Sequence, residues 1–557
     1  MPARSTCDPL PLASSPPSGV RGDAAALLAL AALALLMGAL ILPVGEFPLN
    51  DDWSYARAVQ TWLETGTLRF TGWTSVPLVA QALWGALFCL PGGFSFAALR
   101  LSTAVAGLVG VWGHFFLLRS AGRNRPTAFA AALTLAVNPL YVNLSHTFMT
   151  DVPFVAAALW ALAGFVRSFS DPRPRWLWLG LVGSVAATLV RHTGLVLPLA
   201  YFLACRVGPR DAVRSRSGWP GAVAALALAG FCACGVAWLD LRPFWMNHGD
   251  ALASGFRAPA RMLERAGEIA IYLGLFGLPF ELFALSGESR QQSLLRIAWI
   301  LPLAALTVLG FDSLDLRLPM AGNVLHAAGL GPVRLYDVAT LGLPNGEPFA
   351  AGWWTLATGL GVAGAGLGAC RWLAAWREPA PDAARRTRGL LVLCAAGWLA
   401  PMLAAGYMDR YLLALLPIWC FGPAPSTSDG ASRSRGWLAA AMLAALLWAT
   451  FAVAATHDYF SWNRARWAAL NELTELQRVS PDRIDGGFEF NGWHLYDPAH
   501  PADRQPPPDM SWWWVADDEY VVTLGPVPGY AEQSRHPFSR WLGRSPGAIR
   551  VGRRDPP

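Results

Sequence analysis

Two aspartates stand side by side just after the first long apolar run, in Phe47-Pro48-Leu49-Asn50-Asp51-Asp52-Trp53-Ser54-Tyr55. Neighbouring carboxylates raise each other's pKa, and partial desolvation acts the same way, which suits such a group to take a proton from a hydroxyl. At helical spacing Asp52, Tyr55 and Ala56 share one face, continued by Val59 and Leu63. A plainer account serves equally well: Asp51 caps a helix and Asp52 sits in its first turn. A further carboxylate, Asp151, occurs in His146-Thr147-Phe148-Met149-Thr150-Asp151-Val152-Pro153, where a polar turn meets another apolar run. Pro153 suits the first turn of the helix that follows, and a capping role is again the plainer account.

Cations complete the set. Arg191-His192 interrupts an apolar stretch, and Asp409-Arg410-Tyr411 opens another. A guanidinium forks onto phosphate oxygens, so a phosphate head group would explain an Arg at such a place. The plainer accounts are an Asp409–Arg410 surface pair or snorkelling to lipid phosphate. The Gly-rich turns at 319–323 and 329–332 read as structural loops. No His pair shows metal-ligand spacing such as H-E-x-x-H, so no protein-built zinc site is predicted; a divalent cation brought by other means is left open.

The elements that must hold these residues are membrane spans. Of 557 residues, 54% are hydrophobic and only 14% charged, with a mean hydropathy of +0.36. Soluble domains carry about a quarter charged residues, so the deficit reads as surface facing lipid. The net charge of +6 rests on Arg alone, spread over short loops with no basic stripe, which excludes nucleic acid as the expected partner. The eight Cys fall mostly inside apolar runs, make no C-x-x-C pair, and read as small hydrophobes.

Residues 1–23, rich in Pro, Ser and Ala, read as a disordered cytoplasmic N-terminus, followed by an uncleaved first span over 24–44. Further apolar runs lie near 97–118, 127–145, 151–167, 176–190, 193–207, 219–239, 266–286, 293–310, 352–372, 389–406, 411–422 and 437–455, about thirteen in all. Orientation follows the Arg residues: Arg119 to Arg125, Arg167 to Arg175, Arg206 to Arg216, Arg290 with Arg296, Arg371 to Arg388, and Arg433 with Arg435 all fall on the N-terminal side, predicted to be cytoplasmic. Counting the short run 76–91 as a span would reverse every later loop, so it is expected to re-enter or lie in the interface. A membrane domain over 24–455 with external loops 45–96, 240–265 and 311–351 would then carry an external C-terminal domain, 456–557. There 463–478 has helical spacing and Glu519 to Leu524 reads as a strand.

These residues resemble the membrane-integral glycosyltransferases of the C-type fold, which include the protein O-mannosyltransferases and the aminoarabinose transferases, a glycosyltransferase family 39-like group. That family places an Asp followed by an acidic residue in its first external loop, with a Tyr shortly after. Asn50-Asp51-Asp52-Trp53-Ser54-Tyr55 matches, with Asp52 where Glu is commoner. A second family Asp, before Pro at the start of a later span, matches Asp151, and Asp409-Arg410-Tyr411-Leu412-Leu413 resembles a run in bacterial relatives. One departure is Trp73-Thr74-Ser75-Val76-Pro77, where those transferases show a charged stretch. The resemblance implies an α-helical polytopic fold of about thirteen spans with a small α/β extracytoplasmic C-terminal domain. It also implies inverting sugar transfer from a polyprenyl phosphate to an envelope acceptor (protein, lipid A or glycolipid), at the outer face of a bacterial cytoplasmic membrane. Asp51, Asp52 and Asp151 would be the catalytic carboxylates, and Tyr55, His146, Arg191, Arg410 and Tyr411 would bind substrate. The competing reading from another class is a transporter or flippase of lipid-linked sugars, and spans nearly free of charge speak against it.

Overall fold

The computed structural model describes residues 20–206, 221–231, 255–313, 317–343, 349–421, 433–497, 514–543 and 546–555, apart from 75, 229, 378 and 516. The protein is a multi-pass helical membrane protein with a small sheet domain at its C-terminus. Among the described residues seven helices are long and apolar enough to cross a bilayer, or eight if one bent pair is a single span. Their outer faces carry exposed Leu28, Leu35, Trp299, Leu306, Met442 and Leu446, which water would not tolerate in such density.

The first helix, α1 (Val20–Ile41), starts four residues earlier than its apolar run suggests. At its N-terminal end Asp23 pairs with Arg119 at 3.2 Å and Arg125 at 2.9 Å. This fixes the Arg119–Arg125 loop at one end of the bundle, and positions 42–51 lie at the other. Helix α4 (Phe96–Ser120) returns to the Asp23 end. The run 127–145, expected as one span, is two helices, α5 (Arg125–Ala136) and α6 (Pro139–Ser145), bent by 64°. The cause is local: Asn138 caps α6 by accepting from the Tyr141 amide, and Pro139 cannot donate back to α5. Helices α7 (Asp151–Ser168) and α8 (Pro174–Val190) pack through glycine, where a Cβ on Gly164 would meet the backbone of Gly180 at 2.5 Å.

Helix α9 (Val196–Ala204) is short; α10 (Pro259–Leu285), α11 (Arg290–Ser313), α12 (Ala351–Arg377) and α13 (Asp382–Ala405) complete the bundle up to residue 405. Of the run 219–239 the described part, within 221–231, is helical, and the rest lies outside the described residues, as do 1–19 and 240–254. The run 411–422 is not a regular span but a 3-10 turn, Asp409–Ala414, and a single helical turn, Leu416–Trp419. It nevertheless joins the two ends: Arg410 lies beside Asp51, while Phe421 lies under the Arg123 guanidinium. The short helix α3 (Val79–Cys89) enters and leaves at the Asp51 end, since the Leu78 amide donates to the Val190 carbonyl and Ser95 donates to Glu46.

The last span, α14 (Arg435–Asn471), runs unbroken through position 456 and ends in a π-turn, Glu472–Leu476. Residues 463–471, expected in a separate helix, therefore continue the span out of the membrane. Beyond it lie β3 (Ile484–Asp485), helix α15 (Phe488–Leu495), β4 (Tyr520–Thr523), β5 (Tyr530–Phe538) and β6 (Gly547–Arg554), with β1 and β2 being a two-residue pair at 325–326 and 329–330. The sheet order is β3-β4-β6-β5, parallel between β3 and β4 and antiparallel elsewhere. Alternation buries Val522, Ile549 and Val551 against α14 residues such as Trp467 and Leu470.

Candidate active site

Asp51 occupies the residue before α2 (Asp52–Thr65) but makes no capping bond. Its carboxylate is turned into the bundle mouth instead. One oxygen accepts from the Trp73 indole N–H at 3.2 Å, and the other faces the Arg410 guanidinium at 3.4 Å. Asp151, the first residue of α7, also caps nothing. It forms an ion pair with Arg191 at 2.8 Å, and Arg191 Nε donates to Thr150 Oγ1 at 2.8 Å. The pair is close but poorly aligned, so neither Asp151 oxygen has a hydrogen-bond partner among the described residues.

The two pairs form one cluster. Arg191 and Arg410 lie over the same Tyr411 ring, 5.4 and 5.7 Å from its centroid. Tyr55 interacts electrostatically with Asp51, Arg410, Arg191 and Asp151 together, and burial with those carboxylates pushes its phenol upward. The Arg410 side chain is 6% exposed, and its Nε and Nη1 lack hydrogen-bond partners among the described residues. Unpaired guanidinium N–H groups buried beside a half-open carboxylate are costly unless an anion meets them.

Two expected site residues face elsewhere. Asp52 lies one peptide from Asp51 but accepts from the amides of Leu49 at 2.5 Å and Phe148 at 3.1 Å. It ties the Asp51 loop to the loop before Asp151, a scaffold position that replaces the catalytic one expected for it. Burial pushes its carboxyl up to about 7, against the lowering pull of Arg100 and the two amides; Asp51 is not the cause. His146 also stays out of the cluster: its Nδ1 lies 2.8 Å from the Val142 carbonyl, and its Nε2 faces Gly38 of α1. Burial pushes that imidazole down. The anticipated Asp409–Arg410 surface pair is absent too, since Asp409 accepts from the amides of Val324, Leu325 and Arg410. Burial raises its carboxyl to about 6.

Several residues at the site carry no motif. Trp73 comes from the stretch that departs from the transferase pattern, and it packs with Trp53, Phe488 and Trp514. Ser54, Thr71 and Thr74 share hydroxyl hydrogen bonds behind it. Arg100, inside an apolar run, donates to the carbonyls of Gly45 and Phe47 and so holds the chain leading to Asp51. An Arg within a span was its one legible signal. Glu281, a buried carboxylate of the span α10, is closed on Arg371 of α12 at 2.6 Å, and Arg371 also donates to the Trp419 carbonyl. Among the described residues no group of three or more His, Cys, Asp or Glu side chains is placed to hold a metal ion.

Comparison with known proteins adds a family match over part of the chain. The model of the dolichyl-phosphate-mannose-protein mannosyltransferase family matches residues 75–236, so the resemblance read in the sequence is met over that stretch. It includes Asp151 and Arg191; Asp51, Arg410 and Tyr411 lie outside it. No curated protein matches the sequence. Among solved structures, the chain is similar to the oligosaccharyltransferase AglB from Archaeoglobus fulgidus, at 16% identity and a TM-score of 0.46, over 82% of this chain. It spans only 58% of that protein's length. ArnT from Cupriavidus metallidurans, in its apo state, is similar at 15% identity and a TM-score of 0.38, over 84% of each chain. Both scores fall below 0.5, a likeness too loose to assign roles to residues.

Proposed function

We propose that the protein is an inverting glycosyltransferase that moves a sugar from a polyprenyl phosphate to a hydroxyl or amine of an envelope acceptor. The observation that carries this reading is the convergence of Asp51, Asp151, Arg191 and Arg410 around Tyr411 at one end of the bundle. The family match over residues 75–236 points the same way.

The chemistry follows from the pairs. Asp51, with a side chain 14% exposed, is the carboxylate that an acceptor can reach, and it takes the proton as the nucleophile attacks the anomeric carbon. The sugar–phosphate C–O bond breaks on the opposite face, which inverts the centre, and its electron pair goes to the phosphate oxygen. Arg410, whose Nε and Nη1 have no hydrogen-bond partner among the described residues, meets that charge as it grows. Phosphate leaves readily, so no general acid is needed. Asp151, its side chain 2% exposed, pairs with Arg191 and orients that guanidinium beside Asp51 and Arg410.

The Arg-rich loops support an orientation. Arg119 and Arg125 lie at the Asp23 end and the site at the other, so with Arg held inside, the site and the C-terminal domain face outward from a bacterial cytoplasmic membrane. The transporter reading finds no support in Glu281, whose charge is already neutralised by Arg371.

The test is sugar transfer by the purified protein in liposomes, with labelled polyprenyl-phosphate sugars and envelope extract. Asp51→Asn should lower transfer by about a thousandfold or more while the protein stays folded and inserted. Wild-type transfer by that variant would remove Asp51 as the base. Mass spectrometry of envelope glycolipids and glycoproteins, with and without the gene, would name the acceptor.

A further inference from the structure

The residue before Asp51 is under constraint. Asn50 has a φ of +58°, in the left-handed region that non-glycine residues rarely adopt. It is 2% exposed, and neither atom of its side-chain amide has a hydrogen-bond partner among the described residues. Its side chain therefore gives no reason for the conformation. The restraint comes from its peptide N–H, which donates to Glu489 Oε1 at 3.0 Å, across 439 positions of sequence.

Glu489 is itself fixed. It sits in the first turn of α15, and its second oxygen pairs with Arg466 at 2.8 Å. The side chains of Arg466 and Glu489 are 0% and 1% exposed, and Arg466 Nε donates to the Gly486 carbonyl. The rest of α15 seats on α2: a Cβ on Gly492 would come within 2.5 Å of the Trp53 indole, and the Arg57 guanidinium lies 3.7 Å from the Trp493 ring centroid. Phe488 and Trp514 pack against Trp53 and Trp73, the second of which holds Asp51.

We infer that Glu489, in the C-terminal domain, is a positioning residue for Asp51: it pins the Asn50 peptide in the left-handed conformation that aims the Asp51 carboxylate between Trp73 and Arg410. The C-terminal domain is on this account part of the catalytic apparatus. Backbone held in a sparsely populated conformation persists only when its surroundings over-determine it, and Glu489 with Arg466 supplies that over-determination. A base displaced by a fraction of an ångström to about 1 Å loses rate without losing substrate affinity. The inference rests on the reading of Asp51 as the base.

Two conservative variants separate positioning from mere support of the fold. Glu489→Gln keeps the reach and an acceptor oxygen for Asn50 but loses the charge that pairs with Arg466. Glu489→Asp keeps the charge and the pairing partner but withdraws the acceptor by one methylene. In the full-length protein, with kcat counted per folded molecule, Glu489→Asp should lower kcat by about tenfold or more at nearly constant KM, and Glu489→Gln by less. The reverse order, equal losses, or wild-type kcat in both would overturn the inference, because an ion pair that only stabilises the fold predicts that Asp is the better replacement. Asp51→Asn, run alongside, reports separately on the base: activity there removes the catalytic reading whatever the Glu489 variants do.

Discussion

Asp51 and Asp52 share a peptide bond, as Asp409 and Arg410 do, yet in each pair the two side chains serve different structures. Asp51 and Arg410 face each other across the bundle mouth. Asp52 and Asp409 turn inward and accept backbone amides from distant loops, Phe148 for one and Val324 and Leu325 for the other. Consecutive residues of a helical turn point about 100° apart, so one position can line a cavity while its neighbour grips the scaffold. The partner tells the two kinds of carboxylate apart. A guanidinium leaves oxygen lone pairs and exposure for a substrate. A set of amides consumes the carboxylate and fixes a loop.

This contrast predicts which substitutions strike chemistry and which strike folding. The largest effect after Asp51→Asn belongs to Asp151→Asn, which leaves Arg191 without its countercharge; transfer should fall by about 10²- to 10³-fold. Retention of more than half the activity would remove Asp151 from the working set. Arg410→Gln should come next. It withdraws the donors proposed for the departing phosphate, and kcat should fall about 10²-fold, with a smaller change in KM for the lipid donor. A loss confined to KM would make Arg410 a ground-state anchor only. On the other side of the comparison, Asp409→Asn should cost about 1–3 kcal/mol of stability, since it weakens an acceptor of several buried amides. Its kcat per folded molecule should stay within a fewfold of wild type. A loss of kcat like that of Arg410→Gln would erase the distinction.

Asp51 and Asp151, the carboxylates proposed to work, stood out in the sequence because each is an acidic residue where a polar segment meets an apolar run, though capping explained them as well. The divided fates of Asp51 and Asp52 were not legible: adjacency says nothing about which carboxylate finds an amide 96 positions away. His146 shows the same limit, since its motif places it beside Asp151 while its ring turns to α1. Spans were visible as apolar runs, but Asn138-Pro139 broke one of them, and the run 411–422 proved to be turns of 3-10 and α-helix whose packing against Gly277 and Gly368 replaces regular helix length. Trp73, Arg100 and Glu489 act through tertiary contacts with backbone atoms or a neighbour's carboxylate, which leave no spacing to read.

The smallest effect concerns pH and tests the scaffold role of Asp52 itself. Burial raises its carboxyl to about 7 in the fold, from an ordinary value near 3.8. A carboxyl raised on folding favours the folded state while it stays protonated. That contribution is whole below about pH 4 and fades as pH rises through about 7, because the buried group must then ionise at a cost that the unfolded chain does not bear. The carboxamide introduced by Asp52→Asn cannot ionise and keeps one acceptor oxygen for the two backbone amides. The melting temperature of Asp52→Asn should therefore fall less than that of the wild type between about pH 5 and pH 7.5, a difference on the order of 2 kcal/mol in stability. A steeper fall in the variant would mean that Asp52 is already ionised in the fold and paired through space with Arg100. Its place would then be in the charged network with Asp51, and the line between the two kinds of carboxylate would have to be redrawn.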